Sequence, residues 1–395
     1  MMSKFFHFIK TAVKETDIVL LLLCAFTSAY GILMVHSATL ADITEGAAFS
    51  RDVRAMLITF VGGIVIAVAV SFIDYNFITK MFPVIGGVCI VLMALTFAIG
   101  VGPQERPDAK TWIMLGSTGF YFQSSELMKI GFIITFGMHL ELVSDNITKF
   151  TNVLLLGVHA AVPVVLVTLS GDMGSALVFI IIFLAMMFCA GTQLRYFIIG
   201  GAAVCAGAPA IWYFIFDDTQ RNRILGLIYP DRYADIMYQQ NHGMEAIRNG
   251  GLTGMGLFKG ICTQTPNYIP EAENDMIFPA ICEELGFLGG ILALGLLFAI
   301  ILKIIRTGRK SKFGATSLMC YGMAAMIAGQ VIINIGMCLK VLPVIGITLP
   351  FFSAGGSSNI CLYIGIGLML SIYRFDQEKQ VTEYRISNAS PFSRY

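Results

Sequence analysis

Some charged side chains stand where a charge is costly to keep. Asp275 lies in IPEAENDMIFPAICEELG, just before Pro279, a residue that a helix tolerates best in its first turn. A helix therefore begins near Asp275, at the rim of a long apolar run, with Glu271, Glu273 and Asn274 crowded beside it. A carboxylate so placed can take up a proton from a hydroxyl held against it, or it can simply cap the helix. Glu126 and Lys129 lie three residues apart on one face of another apolar helix, where each neutralises the other. They form either a structural ion pair or, through Lys129, an anion site. Asp172 in SGDMGSALVF sits at a helix start and can accept backbone N–H bonds there. Glu283 and Glu284 fall inside an apolar segment, and at least one must face the protein interior or take a proton.

The elements that carry these residues are set by hydropathy. Of 395 residues, 56% are hydrophobic and 13% charged, and the mean hydropathy is +0.77. A soluble domain needs about a quarter of its residues charged, so the solvent of this chain is lipid. Lys and Arg number 26 against 25 Asp and Glu, which leaves no basic surface for nucleic acid. Apolar runs of about 20 residues, the length that crosses a bilayer, recur along the chain. They predict ten spans, near 17–38, 55–73, 82–101, 126–142, 152–169, 174–190, 195–216, 276–302, 315–338 and 355–373. The expectation is an all-α polytopic membrane protein forming one integral-membrane domain over 1–395, the first span being retained as a helix.

An even number of spans puts both termini on one side. With the N-terminus inside, inner segments carry 15 Lys and Arg, including Lys4, Lys10, Lys14 and five from Lys303 to Lys312. The outer loops between short-spaced spans carry five: Arg51, Arg54, Arg106, Lys110 and Lys340. The positive-inside rule then makes both ends cytoplasmic, with a short cytoplasmic tail over 374–395. The polar stretch 217–275, between the seventh and eighth spans, becomes a large extracellular loop. It keeps aromatic and aliphatic residues and a glycine series, Gly250, Gly251, Gly254, Gly256 and Gly260, suited to tight turns and close approach.

Eight of nine cysteines lie in or at the ends of apolar runs and Cys262 is alone, so no disulfide framework and no structural zinc site is expected. His242, the loop's one histidine, reads as a local hydrogen-bonding residue.

Several segments, in order and at set places relative to the spans, resemble the SEDS family of polytopic proteins (shape, elongation, division and sporulation). They are AKTWIMLG followed by FQSSELMK, SGDMGSALVF, the loop from RNRI through YQQNHGMEAIRNGGLTGMGLFKG to IPEAENDMIF, then EELG, GQVIINIGM and LPVIGITLPFFSAGGSS. The resemblance implies a peptidoglycan glycosyltransferase that polymerises lipid II on the outer face of the bacterial cytoplasmic membrane. It also implies a class B penicillin-binding transpeptidase as partner, in cell elongation, division or sporulation. It places the essential carboxylate at Asp275 and marks Glu126, Lys129 and Asp172 as further site residues. The chain departs from the usual family pattern at Thr111, Ser124, His242, Gly243, Arg248, Asn249 and Ala354.

In that reaction a sugar hydroxyl attacks the anomeric carbon of a donor carrying undecaprenyl diphosphate. Asp275 is the expected general base, and a single displacement inverts the anomeric centre. Departure of the diphosphate calls for cations, for which Lys129, Arg221, Arg223, Lys110 and Lys259 are available. A divalent metal such as magnesium or manganese is compatible with this set, and the sequence leaves it open. Two rival readings are a lipid-linked sugar transporter acting as a lipid II flippase, which should use polar groups near the midplane on broken helices, and a non-catalytic scaffold for the transpeptidase.

Overall fold

With no water in a bilayer core, every backbone group must pair within its own segment, so the apolar runs close into helices. The computed structural model describes residues 16–40, 48–102, 109–115, 120–311 and 314–389. Lys4, Lys10, Lys14, Arg106 and Lys312, used above to orient the chain, and the tail beyond 389 lie outside the described residues.

All ten hydropathy runs are helical. They are α1 (Ile18–Ala38), α2 (Arg51–Ser71), α4 (Phe82–Ile99), α5 (Ser124–Leu142), α6 (Phe150–Leu169), α7 (Met173–Cys189), α8 (Leu194–Ala210), α12 (Ile277–Lys310), α13 (Gly314–Cys338) and α14 (Gly356–Ala389). A short α3 (Tyr75–Lys80) precedes α4, and a π-helical turn, Ile211–Ile215, continues α8 just past Pro209. Eight of the ten are long and apolar enough to cross a membrane. The other two are α7, apolar but only 17 residues long, and α5, which carries Glu126, Lys129 and Glu141. The protein is thus a multi-pass, predominantly helical membrane protein.

The hydropathy pattern did not predict a small antiparallel hairpin, β1 (Trp112–Leu115) with β2 (Phe120–Gln123), in register Trp112↔Gln123. It delivers the chain directly into α5, and Ser357 Oγ at the start of α14 accepts from the Gln123 N–H at 3.1 Å. The stretch 217–275 is also far from a bare loop. It folds as α9 (Asp218–Ile228), α10 (Tyr238–Gly250) and a single turn, α11 (Ile261–Gln264). The reason is local: α9 opens on a capping box made by Asp217 and Gln220. Nor is the start of the tail a free end, because α14 continues unbroken to Ala389 and Asp376 is buried, accepting from the Tyr75 hydroxyl at 2.8 Å.

Helix α14 packs along α2, and α13 sits between α12, α7 and α5. Small residues allow the close crossings: a Cβ at Gly63 of α2 would enter the ring of Tyr363, and one at Gly367 of α14 would meet Ala67 and Val70. By contrast, no residue of α8 is buried, so it stands at the margin of the bundle. Two sets of contacts define the ends of the bundle. At one end Lys303 bridges to the buried Asp17 at 3.1 Å and lies over the Tyr373 ring. That brings the start of α1, the last turns of α12 and the Tyr373 turn of α14 to the same side. At the opposite end the last turn of α1 meets the first turns of α12 and the segment 217–275.

Candidate active site

The site is built at the loop end of α12, which is broken at Gly286, where φ is +69°. The glycine-rich chain folds back onto this break. Met255 and Gly256 donate to the carbonyls of Glu283 and Glu284 at 2.9 Å, and Phe287 donates to Gly251 at 2.9 Å. A Cβ at Gly250 would collide with the Cys282 carbonyl, and one at Gly254, whose φ is +82°, with that of Glu284. The predicted use of these glycines for close approach is what the structure shows.

Both glutamates at the break face inward. Glu283 accepts from the Cys262 N–H at 2.8 Å, the Thr263 N–H at 2.8 Å and the Thr263 hydroxyl at 2.6 Å. Glu284 accepts from the Ser37 hydroxyl at 2.6 Å, the Gln264 amide at 3.0 Å and the Phe258 N–H at 3.1 Å. Six donors from the loop and α1 thus converge on two carboxylates, and this clasps 258–264 to the membrane helices.

Asp275 stands at the same end, 6% exposed. It does not cap α12: the helix begins at Ile277, its cap position is Met276, and no side chain caps it. Instead Asp275 Oδ1 accepts from Gln239 Nε2 at 3.1 Å, while the Asp275 carbonyl accepts from Asn334 Nδ2 at 2.8 Å. Burial pushes its carboxyl up to about 7, Glu271 and Glu273 add to the rise, and Arg223 opposes it. Arg223 Nη1 also donates to the Val344 carbonyl at 2.9 Å, which brings α9 to the connector between α13 and α14.

Lys129 is fully buried, and its Nζ donates to Glu126 Oε1 at 2.7 Å. Glu126 lines a small cavity with Gln330, Thr348, Pro350, Ser358 and Asn359. The connector 339–355 joins this cavity to Asp275. Leu349 and Pro350 line the cavity, Ser353 Oγ donates to the Asn274 carbonyl at 2.6 Å, and Ala354 N donates to that of Glu273 at 2.8 Å. Helix α13 spans the same interval from below. Gln330 borders the cavity and Asn334, four residues or about 6 Å further along, reaches Asp275. The connector and α13 thus link the cavity beside Glu126 to the segment that carries Asp275.

Asp172 caps α7 through the Ser175 N–H at 2.9 Å, and its other oxygen accepts from Gln123 Nε2 at 2.7 Å and Ser125 Oγ at 2.9 Å. It braces the first turn of α5 and so aims Glu126 and Lys129. Among the remaining predicted cations, Lys110 donates to the Phe97 carbonyl at 2.9 Å. Arg221 is engaged by Asp218 at 3.2 Å and by the carbonyls of Trp212 and Tyr213. Lys259 is exposed on the loop beside Gly256. The structure thus groups Asp275 with Arg223, and Glu126 with Lys129, around the connector, and leaves Arg221 and Lys110 in local bonds. Among the described residues no three His, Cys, Asp or Glu side chains gather at metal-holding range, and all nine cysteines are free. His242 bonds locally to the Tyr238 carbonyl and stacks between Tyr238 and Tyr268.

Sequence reading missed Gln239, Gln330 and Asn334. The signal for the last two was present: two amides four residues apart on an otherwise apolar helix mark one polar stripe.

Comparison with known proteins finds relatives over most of the chain. Residues 17–378 match the FtsW/RodA/SpoVE family, described as cell cycle proteins. A Geobacter sulfurreducens protein named "Probable peptidoglycan glycosyltransferase FtsW" is 31% identical over 368 residues, covering 91% of this chain and 95% of that one. Stage V sporulation protein E of Bacillus subtilis is 31% identical over 371 residues, covering 91% and 98%. A solved chain from a peptidoglycan synthase complex that coordinates polymerization and crosslinking superposes with a TM-score of 0.76 at 24% identity, over 91% of this chain and 98% of that one.

Proposed function

The chain belongs to the FtsW/RodA/SpoVE family, and on that premise we propose that it is a peptidoglycan glycosyltransferase polymerising lipid II, with Asp275 as general base. The observation that carries this reading is the state of Asp275. It is a carboxylate withdrawn from water at the rim of the bundle and excused from helix capping, with Gln239 donating to its Oδ1. A base working near neutral pH needs such a raised affinity for protons.

The acceptor sugar hydroxyl gives its proton to Asp275 Oδ2 as its oxygen bonds to the donor's anomeric carbon. The bond from that carbon to the undecaprenyl diphosphate oxygen breaks, and the electron pair leaves with the diphosphate. The configuration inverts. Arg223, whose charge bears on Asp275, and Lys129, paired with Glu126, are the cations assigned to the departing group.

The orientation proposed is a cytoplasmic membrane protein with both termini inside and the segment 217–275 outside, where the lipid II head group is presented. A class B penicillin-binding transpeptidase is the proposed partner. The solved neighbour that couples polymerization to crosslinking supports this pairing.

One experiment separates polymerase, transporter and scaffold: labelled lipid II with the purified chain, native against Asp275→Asn. Asn keeps the shape and can still accept from Gln239, but it cannot take a proton. Glycan synthesis should fall at least ~100-fold, while folding and partner association persist. Near-native synthesis by Asp275→Asn at matched protein would remove Asp275 from the mechanism.

A further inference from the structure

Two consecutive glutamines open α10, and they have different jobs. Gln240, 1% exposed, donates its Nε2 to the carbonyls of Met337 at 2.6 Å and Leu342 at 2.9 Å. These carbonyls end α13 and begin the connector, so Gln240 ties the first turn of α10 to the rim of the bundle. Gln239, one position back, points to the segment that carries Asp275. Its Nε2 donates to the Pro270 carbonyl at 3.1 Å and to Asp275 Oδ1 at 3.1 Å. A primary amide has two N–H groups, and both are spent here. Asn334 meanwhile fixes the Asp275 backbone from below.

Resting on the reading of Asp275 as the base, we propose that Gln239 is a positioning residue of the transferase. It pins Oδ1 so that Oδ2 alone is offered to the acceptor hydroxyl, and it holds the carboxylate in its ionised form. The physical ground is that a donor bonded to the charged form favours that form. The groups that bear on Asp275 sort clearly by this criterion. Glu271 and Glu273 of its own segment disfavour the charge, as does burial, and Arg223 of α9 favours it. Cys338 of α13 meets Asp275 at its carbonyl, at 3.7 Å, and not at its carboxylate. Gln239 of α10 donates to the carboxylate itself, beside the backbone hydrogen bond of Asp275 that also favours the charge. Gln240 is what makes that donation precise in direction, because it denies α10 the freedom to roll.

A glutamine that merely glued α10 to 270–275 would show the same contacts, so the test must read proton affinity. The rate of glycan synthesis by the full-length chain on labelled lipid II is followed from pH 5 to 9 in native protein, Gln239→Leu, Gln239→Glu and Asp275→Asn. Losing one hydrogen bond to a charged acceptor should move the acid limb of the Gln239→Leu profile up by about one pH unit, a tenfold loss on that limb that is recovered at higher pH. Gln239→Glu keeps the shape but sets a second carboxylate against the first, so its limb should lie higher still. If both variants lose activity by one factor at every pH with the limb unmoved, Gln239 is only structural and the proposal fails. If Gln239→Leu does not fold, a native limb in Gln239→Glu overturns the proposal by itself. Near-native synthesis by Asp275→Asn would instead sink the base reading, a failure recognisable apart from any behaviour of Gln239.

Discussion

Removing Lys129 alone should harm this protein more than removing Lys129 and Glu126 together. The pair is joined at 2.7 Å with the lysine fully buried. At that separation and an effective dielectric of about 20, the direct attraction is about 6 kcal/mol. Desolvating two ions costs several kcal/mol each, which offsets most of it, so the intact pair is worth little more than two well-packed apolar residues. Lys129→Met changes that balance, because Glu126 remains beside Gln330 and Asn359 with its charge uncompensated. The expected loss is about 3 to 5 kcal/mol, whereas Lys129→Met with Glu126→Leu should fall within about 1 kcal/mol of native. Denaturant or thermal unfolding of the four proteins in one detergent gives the double-mutant cycle. Independent effects, with a coupling below about 0.5 kcal/mol, would refute the ion pair as an energetic unit. The same four proteins, assayed on lipid II, test its chemistry. A double variant that is stable and fully active would refute the use of Lys129 for the leaving group.

Glu283→Ala strips one acceptor from three loop donors, each worth about 1.5 to 3 kcal/mol when the acceptor is charged. Amides of 258–264 should lose hydrogen-exchange protection while α12 keeps its own, and unchanged protection there would contradict the clasp. The Asp275 carboxyl, raised from 3.8 to about 7 by burial first, links pH to both folding and rate in opposite senses. Its contribution to stability is full below about 3.8 and is lost as pH rises through about 7, whereas synthesis should rise through about 7 as the base becomes ionised. Asp275→Asn should abolish both dependences, and a native stability profile in that variant would count against the buried carboxyl. Finally, a cysteine at Asp235 should react with an impermeant thiol reagent outside protoplasts and one at Ser311 should not. The reverse pattern would put the site in the cytoplasm.

How much of this was written locally can be traced residue by residue. The helices were legible because lipid leaves the backbone no other way to pair, so hydropathy alone located all ten. The Glu126 and Lys129 pair was legible because three residues on a helix bring side chains to one face, and the Asp172 cap because it needs only the next turn. The rim position of Asp275 followed from Pro279. What Asp275 does there did not follow, since a lone carboxylate before a helix reads as a cap until its real partner is seen. That partner, Gln239, is 36 residues away, and Asn334, which holds its backbone, is 59 residues away. The same holds for Glu283 and Glu284, whose burial looked only costly until Ser37, Phe258, Cys262, Thr263 and Gln264 arrived as donors. The strand pair 112–115 and 120–123 and the break at Gly286 escaped the hydropathy pattern as well. Periodicity reports which face of a segment avoids water, whereas the pairing of polar groups across the bundle is decided only when the helices meet. It is that pairing which sets Asp275 against Gln239 and Asn334 rather than in the cap of α12.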